Sequence, residues 1–225
     1  MSWTDKSAIE HIKKIRDIFK VDNFIETGTF MGINAELHSK NFKFVFTCEK
    51  VLEYWNKANE RLNKYDNVFC YKSDSTKFLN KFSNSPKTIF YLDAHFYDPE
   101  LPKNKKFVVL DELKALKGQK NAIIIIHDFD NNLGHITYDG QPLDFELLKK
   151  DLLNINPNFK FYTNELSSCN PVTLNYKDII DSGLNLDAET LDNLEYAWSC
   201  PRLTYRGILY CLPKEVKIDG LKLIK

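Results

Sequence analysis

Apolar residues recur along this chain with two alternating periods. Ile9, Ile12, Ile15 and Phe19 fall near helical spacing, which predicts an amphipathic leading helix over 8–19. Beyond it, short apolar runs bounded by polar residues predict strands at 23–27, 44–48, 68–71, 88–92 and 122–127. Helical spacing returns between them and predicts helices at 33–39, 51–64, 76–81, 107–116 and 143–154. Strand and helix alternate as βα units do, so a parallel sheet with helices on both faces follows. The run Ile123–Ile126 is apolar at every position, as a central parallel strand must be.

After Leu153 the rhythm changes. Strands are predicted at 159–163 and 203–212, with a long polar connection between them. Within that connection Asp187 is a candidate N-cap for a short helix reaching Trp198. No internal repeat, low-complexity tract or interdomain linker interrupts the chain. The expected organisation is one domain over 1–225, with an N-terminal helix in 1–22 and an insertion at 164–201. The loop 94–106 is long and polar and contains Pro99 and Pro102, the character of a functional lid.

Composition narrows the function classes. The 31 basic residues balance the 31 acidic ones, which argues against a partner bound chiefly through phosphate charge. The sequence carries no strong nucleic-acid signal. Five cysteines lie scattered without a Cys-x-x-Cys pair, and buried reduced thiols are the plainer reading. No signal-peptide pattern opens the chain, and no apolar run approaches membrane-spanning length. A cytoplasmic protein with no membrane partner is the expectation, and a homodimer is compatible with it.

The chemistry concentrates at predicted strand ends, where open α/β sheets bind ligands. The first strand ends in Glu26-Thr27-Gly28-Thr29, with Gly32 four residues beyond Gly28. The second ends in Glu49 and the third in Ser73-Asp74. A glycine turn before a helix, followed by an acid at the next strand tip, suits a nucleotide-like ligand whose ribose hydroxyls the acid accepts. The pattern is Glu-x-Gly-x-x-x-Gly, not the Gly-x-Gly-x-x-Gly of dinucleotide enzymes. Asp74 also has good helix-capping context in Ser73-Asp74-Ser75-Thr76, and the two roles are compatible.

The stretch from Ile25 through Glu26, Gly28 and Gly32 resembles motif I of class I methyltransferases that use S-adenosylmethionine, and Glu49 resembles their ribose-binding acid. The resemblance implies a Rossmann-like, seven-stranded, mostly parallel sheet with an antiparallel C-terminal strand. It implies S-adenosyl-L-methionine as cofactor, with contacts from Glu26, Thr27, Gly28, Thr29, Gly32, Glu49, Ser73, Asp74 and Asp93. Glu26 would face the ammonium of the ligand, the amides of 28–32 its carboxylate, and Asp74 the adenine amino group.

A second constellation joins Asp93 and His95, ending the fourth strand, to His127 and Asp128, ending the fifth. Adjacent strand ends would bring carboxylate and imidazole groups together. This resembles metal-dependent small-molecule O-methyltransferases of the macrocin and catechol types, with His127 standing where that pattern has an acid. The implied activity is O-methylation of a sugar or other hydroxylated metabolite, a small-molecule acceptor. Two mechanisms stay open: Asp93, His127 and Asp128 hold Mg²⁺ or another divalent ion, or His95 or His127 acts as a general base without metal. A transfer to nitrogen, protein or nucleic acid, or a non-catalytic nucleotide- or partner-binding module of the same fold, are the alternatives. His11, His38, Trp55 and Trp198 read as packing or surface residues. His135 and Tyr97 could line the site. Lys103, Lys105 and Lys106 would suit an anionic acceptor.

Overall fold

All four residues of Ile123–Ile126 are buried, as a strand covered on both faces requires. They sit in the middle of an eight-stranded sheet. The computed structural model describes residues 6–82, 85, 87–94, 107–132, 142–165 and 207–224. The elements run α1 (Lys6–Phe19), β1 (Asn23–Thr27), α2 (Ile33–Ser39), β2 (Phe44–Glu49), α3 (Leu52–Leu62), β3 (Val68–Lys72) and α4 (Ser75–Leu79). A 3-10 turn at Asn80–Phe82 leads to β4 (Thr88–Leu92), α5 (Val108–Ala115), β5 (Ile123–Ile126), α6 (Phe145–Ile155), β6 (Lys160–Asn164), β7 (Leu209–Leu212) and β8 (Leu221–Leu223).

Strand order across the sheet is β3-β2-β1-β4-β5-β7-β6-β8. The first five positions are mutually parallel. β7 pairs antiparallel with both β5 and β6, and β8 pairs antiparallel with β6. The period-2 alternation divides the core between two layers. Phe24, Val45, Ile89, Ile123 and Ile125 face one side, where they join Ile12 and Ile15 of α1, Ala35 of α2 and Leu62 of α3. Ile25, Phe90, Leu92, Ile124 and Ile126 face the other, against Phe78 of α4, Leu113 of α5 and Leu148 of α6. Among the described residues no helix is long and apolar enough to cross a membrane.

The predicted bounds of β1, α2 and β4 coincide with the observed ones, and the other predicted elements up to β6 shift by one or two residues at their ends. The antiparallel stretch is one strand longer than expected. β8 was not anticipated because three residues, two half-buried and one exposed, are too few to carry a readable period. β6 therefore lies inside the sheet, and β8 forms the edge. Of the predicted strand 203–212, the structure places Leu209–Leu212 in the sheet, and 203–206 fall outside the described residues. The insertion with Asp187 and Trp198, and most of the predicted lid, also fall outside them.

Candidate cofactor pocket and ion cluster

β1 and β4 are neighbours in the sheet, yet the chain leaves β1 towards β2 on one side and β4 towards β5 on the other. Such a switch point opens a crevice at the carboxyl ends of the strands. A cavity of about 450 Å³ lies here, lined by Gly28, Glu49, Ser73, Asp74 and Asp93 among others. Five predicted cofactor residues from four strand ends thus meet on one wall.

Gly28 makes this convergence possible. Its φ is +79°, and a Cβ built on it would stand 2.5 Å from the Asp93 carbonyl oxygen and 2.8 Å from Ala94 Cα. The glycine is needed where the β1 loop crosses the end of β4. Gly32, also at φ +79°, is the N-cap of α2 and packs against Leu62 of α3. The loop spends most of its amides on the chain itself. Gly28 and Thr29 both donate to the Cys48 carbonyl at 3.0 Å, and Gly32 donates to the Thr29 carbonyl at 2.9 Å. Phe30 N donates to Glu49 Oε2 at 2.9 Å.

Glu49 is a hub. Its second oxygen accepts from Val51 N at 2.8 Å, so one carboxylate ties the β1 loop to the start of α3. Each oxygen keeps a further lone pair, which is the capacity a ribose diol needs. Asp74 caps α4, accepting at Oδ1 from Thr76 N at 3.0 Å, Thr76 Oγ1 at 2.6 Å and Lys77 N at 3.4 Å. The Thr76 hydroxyl holds its carboxyl below the usual range. Ser73 Oγ donates to the Asp74 carbonyl at 2.9 Å. The capping role foreseen from sequence is present, and Asp74 lines the cavity as well.

Glu26, Thr27 and Thr29 stand behind the wall, fully buried. Glu26 accepts from Asn34 Nδ2 and from Thr47 Oγ1, each at 2.7 Å, and Thr47 in turn meets the Thr29 hydroxyl. Burial pushes the Glu26 carboxyl up to about 8, against the pull of these two bonds. Thr27 Oγ1 accepts from Asp93 N at 3.2 Å, joining the ends of β1 and β4.

Asp93 also belongs to the second constellation. His127 Nδ1 lies 3.0 Å from Asp93 Oδ1 and 3.2 Å from Asp128 Oδ1. All three residues are buried. Burial favours the neutral imidazole, but the two carboxylates outweigh it and raise the His127 pKa to about 10. The two carboxylates thus favour the protonated imidazolium, whereas a general base needs the neutral ring. The three donor atoms lie within 4.8 Å of one another. Neighbouring ligands on an octahedral ion with bonds of about 2.1 Å stand about 3.0 Å apart, so the set fits a divalent ion that displaces the His127 proton. His95, Tyr97, Lys103, Lys105, Lys106 and His135 fall outside the described residues. His11 and His38 are buried packing residues, His38 against the Phe24 ring at 4.2 Å.

These buried groups set a pH dependence of folding. Glu26, Glu112 and His127 have folded pKa values of about 8, 7 and 10, all above their ordinary ones. The folded chain holds their protons longer, so stability falls as pH rises through those values. Burial lowers His11 to about 4 and His38 to about 3, so acidification below the ordinary histidine value favours unfolding. Between roughly pH 4.5 and 6.5 the two glutamates and two histidines offset one another. The expected result is a plateau there and a decline above pH 7 of about 1–3 kcal/mol per pH unit. Denaturant titrations from pH 5 to pH 9 check it, and stability that rises across pH 7–9 would contradict it.

No protein-family model matches the chain, and no curated protein matches it in sequence. Solved structures do match. An rRNA methylase from Streptococcus thermophilus is similar with a TM-score of 0.52 at 12% identity, over 94% of this chain and 98% of that one. The YcgJ protein from Bacillus subtilis gives 0.52 at 10% identity, over 93% and 99%. A caffeoyl-CoA O-methyltransferase-like protein from Staphylococcus aureus gives 0.50 at 15% identity, over 94% and 85%. The chain has the class I methyltransferase fold.

Several wall residues of this methyltransferase fold were not anticipated. Phe30 and Tyr54 line the cavity with ring centroids 4.7 Å apart, and Val51, Ala94 and Val108 complete its apolar part. Val51 and Leu52, an apolar pair two and three residues after the strand-end acid, were the available signal, and both are exposed. Glu112 is fully buried on α5, facing the Ser75 and Thr27 hydroxyls behind the wall, and burial raises its pKa to about 7. Its mark in the sequence is a carboxylate on the apolar stripe of Val109, Leu113 and Leu116.

Proposed function

We propose that the protein is an S-adenosylmethionine-dependent methyltransferase acting at oxygen on a hydroxylated small molecule. The observation that carries this reading is the meeting of Gly28, Glu49, Asp74 and Asp93 around one cavity at the switch point. Glu49 would accept from the ribose hydroxyls and Asp74 from the adenine amino group, with Phe30, Tyr54 and Val51 giving apolar contact. When bound, the cofactor supplies an electrophilic methyl group.

Asp93 is the member of the ion cluster that reaches the cavity wall, so it is placed to take the proton of the acceptor hydroxyl. The proton would pass to Asp93, the acceptor oxygen would take the methyl group with its freed electron pair, and the sulfonium would leave as a neutral thioether, while His127, 3.0 Å from Asp93, orients that carboxyl group. Should a divalent ion be used, Asp93, His127 and Asp128 would hold it, and it would lower the pKa of the acceptor hydroxyl.

Thermal shifts with S-adenosylhomocysteine, NAD and ATP test the cofactor. At a ligand concentration of 100 Kd the native state gains about 2.7 kcal/mol. For a chain of this size that is a rise of roughly 5–11 °C in Tm. A shift with NAD or ATP and none with S-adenosylhomocysteine would overturn the reading. Turnover that survives a chelator assigns the chemistry to Asp93 and His127 alone, and turnover lost with the chelator and restored by Mg²⁺ or Mn²⁺ assigns it to the metal.

A further inference from the structure

The two acids of α5 lead opposite lives. Asp111 is exposed and pairs with Lys114 at 2.7 Å. Glu112 turns inward beside Val109 and Leu113 and is fully buried. Among the described residues, neither of its oxygens makes a hydrogen bond of ordinary length and angle. The groups that face it are the Ser75 and Thr27 hydroxyls, and the carboxylates of Asp93 and Asp74 act on it as like charges. The Cys48 thiol feels it from β2. Burial among like charges favours the neutral acid. An apolar side chain would fill this place on the stripe at no polar cost, whereas a buried carboxyl group is costly unless hydroxyls meet it.

The two hydroxyls lead to the cofactor cavity by separate routes. Ser75 opens α4 and lines the cavity beside Asp74. Thr27 Oγ1 accepts from Asp93 N at 3.2 Å. That bond uses a lone pair of Thr27 and leaves its hydroxyl hydrogen in need of an acceptor. Glu112 is the carboxyl group that faces it. Val108, four residues before Glu112 and so on the same side of α5, also lines the cavity. Glu112 thus stands under the cavity floor, where β1, β4, α4 and α5 meet.

We propose that Glu112 is a positioning residue of the cofactor cavity, whose carboxyl group takes the Thr27 and Ser75 hydroxyl hydrogens and so sets the Asp93 backbone and the start of α4 against the ligand. The identity of the ligand rests on the methyltransferase reading, and the rest on the packing under the floor. With its hydrogen engaged, the Thr27 hydroxyl keeps a fixed direction and holds the Asp93 amide. The Asp93 carboxyl group then keeps its place on the cavity wall.

The test compares two variants of the full chain. Glu112→Gln keeps the shape and both a donor and an acceptor, and Glu112→Leu keeps the volume without polar atoms. Amide hydrogen exchange, followed by NMR, reads the Asp93 N–H against the Phe90 and Ile124 amides, which belong to paired positions of β4 and β5. In Glu112→Leu the Asp93 amide is expected to exchange about tenfold faster while the reference amides hold their rates. S-adenosylhomocysteine should bind that variant about fivefold more weakly, the worth of about one net hydrogen bond. Glu112→Gln should restore both readings to within about twofold of the wild type. A leucine variant that melts lower but keeps its Asp93 exchange and its ligand affinity would reduce Glu112 to packing and overturn the proposal. A glutamine variant as impaired as the leucine one would overturn it too. Should Glu112→Leu fail to fold, Thr27→Val and Ser75→Ala break the same links from the hydroxyl side, and wild-type affinity in both would decide against it. If S-adenosylhomocysteine does not bind the wild type, the methyltransferase reading falls, and the exchange of the Asp93 amide still decides whether Glu112 sets that strand end.

Discussion

Glu49→Ala is expected to weaken S-adenosylhomocysteine binding by one to two orders of magnitude. Two losses combine. A carboxylate that accepts from both ribose hydroxyls contributes roughly 1.5–3 kcal/mol, a factor of about 10 to 150. The same carboxylate accepts from Phe30 N and Val51 N, so its removal also frees the loop and the start of α3. Phe30 sits at φ +49°, a left-handed conformation that costs a non-glycine residue about 1 kcal/mol or more. Without the anchor it can relax, and its ring would leave Tyr54. Glu49→Gln keeps the size and one acceptor but loses the charge, so it should fall between the wild type and alanine. Calorimetric titration checks the series, and wild-type affinity in Glu49→Ala would show that the ribose is held elsewhere.

Gly28→Ala should be the most damaging small substitution in the pocket. Alanine at φ +79° carries left-handed strain of about 1–2 kcal/mol. The added Cβ would also collide with the backbone of Asp93 and Ala94, which cannot swing aside as a side chain can. Overpacking of that kind adds about 1–3 kcal/mol, for a total of roughly 2–5 kcal/mol. For a domain of this size the expected fall in Tm is about 4–20 °C. Gly118→Ala is the control. Gly118 has φ +97°, and a Cβ there meets nothing within 4 Å, so only the strain is lost. Equal melting points for the two variants would mean that the β1 loop and the end of β4 are not in contact.

The sequence showed most clearly what local physics determines. Asp93 ends the apolar run of β4 abruptly, the apolar run of β1 gives way to Glu26 and Thr27 before Gly28, and both strands were placed without error. The helices follow from stripes such as Ile9, Ile12 and Ile15. Residue roles were harder, because a role depends on which side of a strand a group faces. Thr27 joins Asp93 and faces the layer of α5, whereas Glu26 turns to Asn34 and Thr47 in the other layer. The motif alone does not say that Glu26 has both oxygens bonded inside the protein. Nor does it say that the amides of Gly28, Thr29, Phe30 and Gly32 are engaged by the chain. Tyr54 and Glu112 come from helices packed over the strand ends, so their place in the site is a tertiary fact. β8 escaped because its partner Asn164 lies 57 residues before Leu221 along the chain.

The position of β7 bears on how the chain is made. β5 and β6 never pair directly; β7 inserts between them, and it is synthesised after both. From Ile126 to Leu212 the ribosome must add 86 residues (212 − 126). At 5–20 residues per second that takes roughly 4–17 s. Throughout that interval the flank of Ile123–Ile126 has no strand beside it, and four consecutive isoleucines with open backbone groups form an adhesive edge. The nascent protein therefore carries an aggregation hazard in its central strand, and the arrival of β7 removes it.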